Sequence, residues 1–517
     1  TRYSPSPSCP TSNRCGSAGV ESHRKYAYPP AEKLRAAHGD RLRAACAAQP
    51  VVSPEAERNG SRRYAAEVLR VAKSPAAGRN RFSAAVSSGV LVLLVLILLG
   101  AQPLAAEETY RFDPGEIEKK PFHFGGYLEA KPILSHPNRD AALYRLRYAE
   151  RDLGSSLEEA NLKLQLEGSY ERGVSRLFFK TNTEYLLSRL GDRERTDLYE
   201  GYLSVKPSSS WRIDAGKKTF KWGKGYAWNP VAFIDRPKDP DDPEVGMEGV
   251  FALSADYTKS FAGPLKTLSF TPVLQPVYDH INAEFGKKNY VNLAGKLYFL
   301  WYDTDIDFLF LTGGSRTTRF GADFSRNLTT NWEIHGEIAF IKDLQARLVD
   351  RAGNVSPVEF DATSYLLGTR YLTARDTTYI LEYYRNGTGF TRGELEDFFG
   401  FAHSAFRTYQ ATGNDTGLQK AVQLAEGNFG RPNPLRDYLY LRISQKEPLD
   451  ILYFTPALTT IVNLNDRSFQ VSPEAAYTGF TNLEMRLKAV FIRGAGESEF
   501  GEKPFDFRLE LRLGYYF

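Results

Sequence analysis

Histidine and cysteine, the residues that most often carry chemistry, are scarce in this sequence and poorly spaced for it. Beyond residue 106 the histidines are His123, His136, His280, His335 and His403, with no His-x-x-x-His or comparable ligand spacing. His335 stands between Glu333 and Glu337 in an alternating segment. Such a trio could bind a metal or act as a base, but a solvated histidine is the expectation in the absence of partner spacing. Cys9, Cys15 and Cys46 all precede an apolar run at 90–99, so the chain beyond it has no thiol for a disulfide, a zinc site or nucleophilic catalysis. No Gly-x-Ser-x-Gly elbow or phosphate-binding glycine loop is present. The run Asp239, Asp241, Asp242 and Glu244 offers oxygen ligands for Ca²⁺, yet its prolines suit an ordered loop rather than an EF-hand. The expectation is a protein without enzymatic activity, metal or cofactor.

What the sequence does space is charge. Arg212, Asp214, Lys218, Phe220 and Trp222 fall on one face of a period-two segment, with Ile213, Ala215 and Thr219 on the other. Lys221 and Lys224 follow where that segment runs out into a long connection. A second set, Arg486, Lys488, Arg508 and Arg512, alternates with apolar residues near the C-terminus. Charges held beside a permeation path set the selectivity of a pore, and these eight basic residues are expected to line one.

Such rows need strands to hold them. Phe505, Phe507, Leu509, Leu511, Leu513, Tyr515 and Phe517 share one face of the last segment, against Asp506, Arg508, Glu510 and Arg512 on the other. The pattern recurs at Leu483, Met485, Leu487, Ala489 and Phe491 against Glu484, Arg486 and Lys488. It recurs again at Trp332, Ile334, Ile338 and Phe340 against Glu333, His335 and Glu337. A basic residue facing lipid at mid-membrane costs about 2–4 kcal/mol, so the charged rows must face water and the apolar rows lipid. The expected fold is all-β, a transmembrane antiparallel up-and-down barrel of about 18 strands, with 16 to 20 allowed.

The strands fall near 121–134, 157–170, 173–186, 196–207, 211–222, 248–258, 265–277, 290–302, 305–313, 317–327, 331–342, 361–373, 376–387, 434–445, 449–464, 467–478, 480–493 and 504–517. With both termini in the periplasm, the even-numbered connections are then short turns. The long ones, 135–156, 223–247, 343–360 and 388–433, are all external. Within 388–433 the runs Gly393 to Gln410 and Asp415 to Glu426 read as helices, with Phe398, Phe399, Phe401 and Phe406 as apolar positions. The loop is then a plug or lid, or a helical cap on the rim.

Two segments carry a resemblance. The ending Leu509-Glu510-Leu511-Arg512-Leu513-Gly514-Tyr515-Tyr516-Phe517 looks like the signal read by the outer-membrane barrel-assembly machinery, which implies that Leu513, Tyr515 and Phe517 are its recognised positions. The segment Gly216-Lys217-Lys218-Thr219-Phe220-Lys221-Trp222-Gly223-Lys224-Gly225, followed by Asn229-Pro230 and by Arg236 to Glu244, resembles porins similar to the alginate-export family. That resemblance implies an eighteen-stranded barrel in which basic lumen residues conduct an acidic polysaccharide. Only Lys218 and Lys221 carry such a role over.

The totals agree with an exported barrel. The chain has 517 residues, 42% hydrophobic, with Tyr 30 and Phe 33 against Met 2, the aromatic excess expected of interfacial girdles. Residues 1–106 hold 15 Lys+Arg and 6 Asp+Glu, leaving 51 of the 66 basic and 56 of the 62 acidic residues beyond them, so a nucleic-acid binder is not indicated. Val90 to Leu99, preceded by Arg79 and Arg81 and followed by Ala105-Ala106, has the form of a cleavable signal peptide over 79–106, with the mature chain starting near Glu107. Residues 1–78 are expected to be a non-native or disordered leader. The expected product, 107–517, is a bacterial outer-membrane porin in contact with lipid, passing small hydrophilic and anionic solutes. The alternatives are a structural sheath around a periplasmic electron-carrier protein and a polysaccharide-export channel.

Overall fold

The computed structural model describes residues 121–517 apart from 150, 244 and 245; the expected leader and signal peptide lie outside the described residues. Eighteen strands follow one another around a single antiparallel sheet. They are β1 Phe122–Pro137, β2 Leu157–Arg172, β3 Ser175–Ser188, β4 Arg193–Val205, β5 Trp211–Lys218, β6 Val250–Ser260, β7 Leu265–Val277, β8 Tyr290–Trp301, β9 Thr304–Thr312, β10 Arg319–Thr329, β11 Trp332–Val349, β12 Val355–Leu372, β13 Thr377–Arg385, β14 Asp437–Gln445, β15 Phe454–Asn463, β16 Phe469–Phe480, β17 Leu483–Arg493 and β18 Phe505–Tyr516. Pairing of β1 with β18, from Tyr127 opposite Tyr516 to Ile133 opposite Glu510, closes the sheet into a barrel. Closure leaves no strand edge unpaired, which a backbone surrounded by lipid requires.

The alternation is realised in space. Trp332, Ile338 and Phe340 are exposed on the outer face, while His335 and Glu337 between them are buried inside. On the neighbouring β17 and β18, Leu511 pairs with exposed Leu487 and Phe507 with exposed Phe491, whereas Arg512 pairs with Arg486 on the inward row. Phe517 prolongs the closing seam through two hydrogen bonds with Gly126, of 3.0 and 3.1 Å, and its ring lies where a β-carbon on Gly126 would come within 3.0 Å. Tyr516 turns the other way, stacking on Tyr127 at 5.6 Å and donating its hydroxyl to Glu484.

The two rims differ as the connection order predicts. One carries only short turns, among them 173–174, 302–303, 330–331 and 481–482, and beside it stand exposed Trp211, Trp301, Trp332 and Tyr371. The other carries 138–156 with α1 Ala142–Tyr148, the long 219–249, and 386–436 with α2 Arg392–Thr412 and α3 Thr416–Leu424.

Two expectations need correction here. The span 343–360 is not a long loop. A register shift between Ile341 and Leu344, with Asp343 at a φ of 49°, lets β11 and β12 continue as a hairpin to Val349 and Val355. Above the membrane both faces of a strand meet water or cap, so the period-two signal disappears although the ladder continues. The strand expected over 211–222 ends at Lys218, and Phe220 and Trp222 belong to the connection that follows.

α2 and α3 form a cap on the long-loop rim. Thr391 and Glu394 make a reciprocal capping box and Gly413, at a φ of 73°, terminates α2. Leu395, Phe398, Phe399 and Ala402 are buried against Val349 of the extended hairpin, Leu146 of α1 and Phe500. Phe429 stacks on both Phe390 and Phe398, at 4.2 and 4.4 Å.

Candidate functional site

The connection from β5 to β6 turns inward. Its path is set by carboxylates that meet backbone N–H groups. Asp235, inside the connection, accepts from the N–H groups of Phe220 and Trp222 at 2.8 and 2.9 Å and folds the segment on itself. Glu337 on the β11 wall accepts from the N–H groups of Lys224, Gly225 and Val231 at 2.6, 2.7 and 3.3 Å, and from the Asn229 side chain at 2.8 Å. Glu382 on β13 accepts from the N–H groups of Tyr226 and Ala227 at 2.5 and 2.9 Å. Two buried carboxylates thus hold the segment from Lys224 to Val231 by its backbone.

Glycine makes this wrapping possible. A β-carbon on Gly223, whose φ is 98°, would come within 2.5 Å of the Asn229 side chain and 2.8 Å of Glu337. One on Gly225 would come within 2.1 Å of the Trp228 carbonyl. The segment Gly223-Lys224-Gly225 is the cradle of a carboxylate.

His335 is not the solvated histidine expected. Its side chain is buried, with Nε2 donating to Glu382 at 2.9 Å and Nδ1 3.6 Å from Glu333; since a carboxylate only accepts, the bond to Glu382 places a proton on Nε2. The Tyr226 ring packs edge-on against it at 5.3 Å, and the Tyr226 hydroxyl donates to Glu333. The inward connection, rather than its chain neighbours, desolvates this histidine.

Apolar packing completes the seat. Trp222, Val231, Phe233 and Ile234 of the connection are buried against Val273 of β7, Leu309 and Leu311 of β9 and Ala339 of β11. Fully burying a side chain of this size contributes about 1.5–3 kcal/mol, so this sector of the lumen is a core and not a water channel.

The far end of the connection crosses to the opposite wall. Asp241 lies among Lys488 Nζ at 3.0 Å, Arg508 Nη2 at 3.0 Å, Gln470 Nε2 at 2.6 Å and Ser472 Oγ at 3.1 Å, on β16 to β18. Asp242 accepts from Arg512, which also lies 3.5 Å from Glu129 of β1. The acidic run considered for Ca²⁺ is therefore paired with basic side chains at Asp241 and Asp242, and Glu244 lies outside the described residues.

Of the eight basic residues expected to line a pore, seven have carboxylate neighbours. Arg212 bonds Asp256, Lys218 bonds Asp214, and Lys224 reaches the buried Asp307 of β9 at 2.9 Å. Arg486 lies beside Glu474 and Glu484, while Lys488, Arg508 and Arg512 hold the acidic run. Lys221, at a φ of 56°, is exposed at the cavity surface.

A cavity of about 1300 Å³ remains beside the connection. Its lining brings in further cations: Arg316 from the connection between β9 and β10, Arg319 from the start of β10, Lys238 from the 219–249 connection and Arg431 from beneath the cap. Like Lys221, none of these four has a carboxylate within 4 Å among the described residues. Alternation does place Arg319 on an inward row. The wall anchors Glu337 and Glu382 were legible only as lumen-facing acids, because their partners lie more than a hundred positions away in sequence.

No protein-family model matches the sequence, and no curated protein matches it. Among solved structures, the outer-membrane protein OprD of Pseudomonas aeruginosa is similar at 10% identity and a TM-score of 0.45, over 77% of this chain and 94% of that one. OccAB1 of Acinetobacter baumannii gives 10% and 0.45, over 76% and 96%. A triple mutant of the Rhodopseudomonas blastica porin gives 10% and 0.38, over 77% and 100%. Likenesses of this degree carry no argument about what crosses this barrel.

Proposed function

We propose that the chain is an outer-membrane porin that passes small hydrophilic solutes, with a preference for anions, along a water-filled path beside the 219–249 connection. The observation that carries this reading is the cavity lining, in which Lys221, Lys238, Arg316, Arg319 and Arg431 have no carboxylate within 4 Å among the described residues. Uncompensated cations around a narrow aqueous space raise the local anion concentration, and low-dielectric walls focus their field. The closed barrel and its outward apolar rows suit a lipid surround, and a signal peptide over 79–106 and the ending Leu513, Tyr515 and Phe517 would route the chain to the barrel-assembly machinery.

A sheath around a periplasmic electron carrier needs a vacant lumen, and the 219–249 connection fills a sector of this one. The resemblance to alginate-export porins supports an acidic polysaccharide as a larger solute of the same path. Lys221 then carries the transferred role, since Lys218 is bound to Asp214.

Protein extracted from outer membranes and inserted in planar bilayers provides the test. A steady current with a reversal potential on the anion side is the expected result. Silence, or a cation preference at low salt, would refute the reading, and copurification of a coloured cytochrome would favour the sheath.

A further inference from the structure

Arg316 and Arg319 stand apart from the other cations of the lumen. Arg316, on the connection between β9 and β10, is fixed by two backbone carbonyls. Its Nε donates to Phe285 O and its Nη1 to Phe233 O at 3.2 Å, while the guanidinium lies 4.6 Å over the Phe285 ring. That geometry holds the group rigidly and leaves Nη2 without a partner among the described residues. Arg319 is the first residue of β10, flanked across the ladder by Leu311 and Ile341, both buried and apolar. Its Nε is buried and has no hydrogen-bond partner among the described residues.

Both side chains line the same cavity. Nearby Arg236 differs, because Glu284 at 2.7 Å and Glu248 at 3.1 Å neutralise it. Burial pushes Arg316 down to about 9, the charge of Arg319 pushes in the same direction, and the more distant carboxylate of Glu284, already paired with Arg236, opposes them only in part. Two guanidinium groups that repel each other in an apolar corner are unfavourable unless an anion joins them. A planar guanidinium donates two parallel hydrogen bonds to an oxyanion, and two of them can grip one ligand from two sides.

We propose that Arg316 and Arg319 form a binding niche for a small oxyanion, phosphate or carboxylate, on the lumen wall between β9 and β10. The niche rests on the reading of a water-filled lumen, since its ligand must arrive from the cavity. It is distinct from the basic residues of β17 and β18, whose places are taken by Asp241 and Asp242. It adds to a general anion preference one place where an anion pauses.

The test is calorimetric titration of the detergent-solubilised full chain with inorganic phosphate at low ionic strength, repeated with acetate. Saturable binding of either anion with a Kd of about 1 mM or tighter is expected. The double variant Arg316→Gln/Arg319→Gln should weaken it by about tenfold or more, with folding checked by heat-modifiable gel mobility. Arg319→Lys keeps the charge and loses the fork, so it should fold even where the double variant does not, and should weaken binding by a smaller factor. Binding of neither anion, or binding unchanged in Arg319→Lys and in a folded double variant, would overturn the niche. Reversal potentials separate this from the porin reading: phosphate binding without current keeps the niche and sinks the porin, and anion-selective current without binding does the reverse.

Discussion

The 219–249 connection is held at two walls by two kinds of force. At β11 and β13 its backbone N–H groups point at Glu337 and Glu382, behind an apolar layer of Trp222, Val231 and Phe233. At β16 to β18 its carboxylates Asp241 and Asp242 meet Lys488, Arg508 and Arg512, all partly open to the lumen except Lys488. The first attachment is directional and dry, and salt has little access to it. The second is ionic and wet, so it weakens as salt rises and, in the proposed pore, sets the net charge beside the path. In the proposed pore, one wall positions the connection and the other tunes the field beside it.

The largest effect is expected at the dry wall. Glu337→Ala leaves four donors without their acceptor, each at a cost of about 1–3 kcal/mol when it stays buried, so the connection should leave the wall. Single-channel conductance should rise by about twofold or more in a barrel that still shows heat-modifiable mobility. Conductance equal to wild type would mean that the apolar layer alone holds the segment.

Next comes the wet wall. Asp241→Asn with Asp242→Asn takes the carboxylate from Lys488 and leaves Arg508 and Arg512 with only Glu510 and Glu129, at 2.5 and 3.5 Å, so it should move the reversal potential further toward anions. That shift should be clear at about 0.01 M salt, where the Debye length is about 30 Å, and nearly absent at about 1 M, where it is about 3 Å. A shift that persists at high salt would mean that the pairs are as dry as those at Glu337.

A smaller effect separates the three lysines that the sequence groups together. Lys221→Gln should move the reversal potential slightly toward cations at low salt, and Lys218→Gln should move it less, because Asp214 keeps Arg212 at 3.4 Å. Lys224→Gln should shift the potential little and lower thermal stability by about 1–3 kcal/mol, because buried Asp323 loses Lys224 and Asp307 keeps only Lys296, at 3.8 Å. Equal effects of Lys218→Gln and Lys221→Gln would put both in the ion path.

The smallest effect lies in the cap, which combines both kinds of attachment. Burial pushes Glu502 up, but the His403 ring at 3.0 Å and the N–H groups of Ala142 and Glu497 overcome it and hold the carboxyl below its ordinary value. A depressed folded-state value contributes stability above the ordinary glutamate range, near pH 4.3, and that contribution disappears as pH falls through the folded value. Pepsin cleavage within 386–436 should therefore accelerate as pH is lowered from about 5 to about 2, by an amount corresponding to about 1 kcal/mol, and Glu502→Gln should flatten the dependence. A variant that keeps the full pH step would place the titrating group elsewhere.

The amino-acid sequence by itself determined the barrel. The spacing of Leu483, Leu487, Phe491, Leu511 and Tyr515 against Arg486, Lys488 and Arg512 fixes which face meets lipid, because a period of two cannot be satisfied any other way when one side is apolar and the other is wet. Strand number followed from the same rule and from short turns at every second connection. The longer helix of the cap was readable with Phe398, Phe399 and Phe401 as its apolar positions, all of them buried. Past Asp343 the reading failed, because beyond the lipid no environmental contrast writes a pattern on β11 and β12. Tertiary structure alone decided what the lumen charges do. Whether Lys224 is a free cation or the partner of Asp307, whether His335 is wet or buried, and whether Arg512 faces solvent or Asp242 depend on side chains brought together from opposite walls by an inward connection. Inside a barrel, alternation says only that a charge points inward; its energy depends on which opposite charge, at what distance and with how much water between, and those are properties of the closed ring.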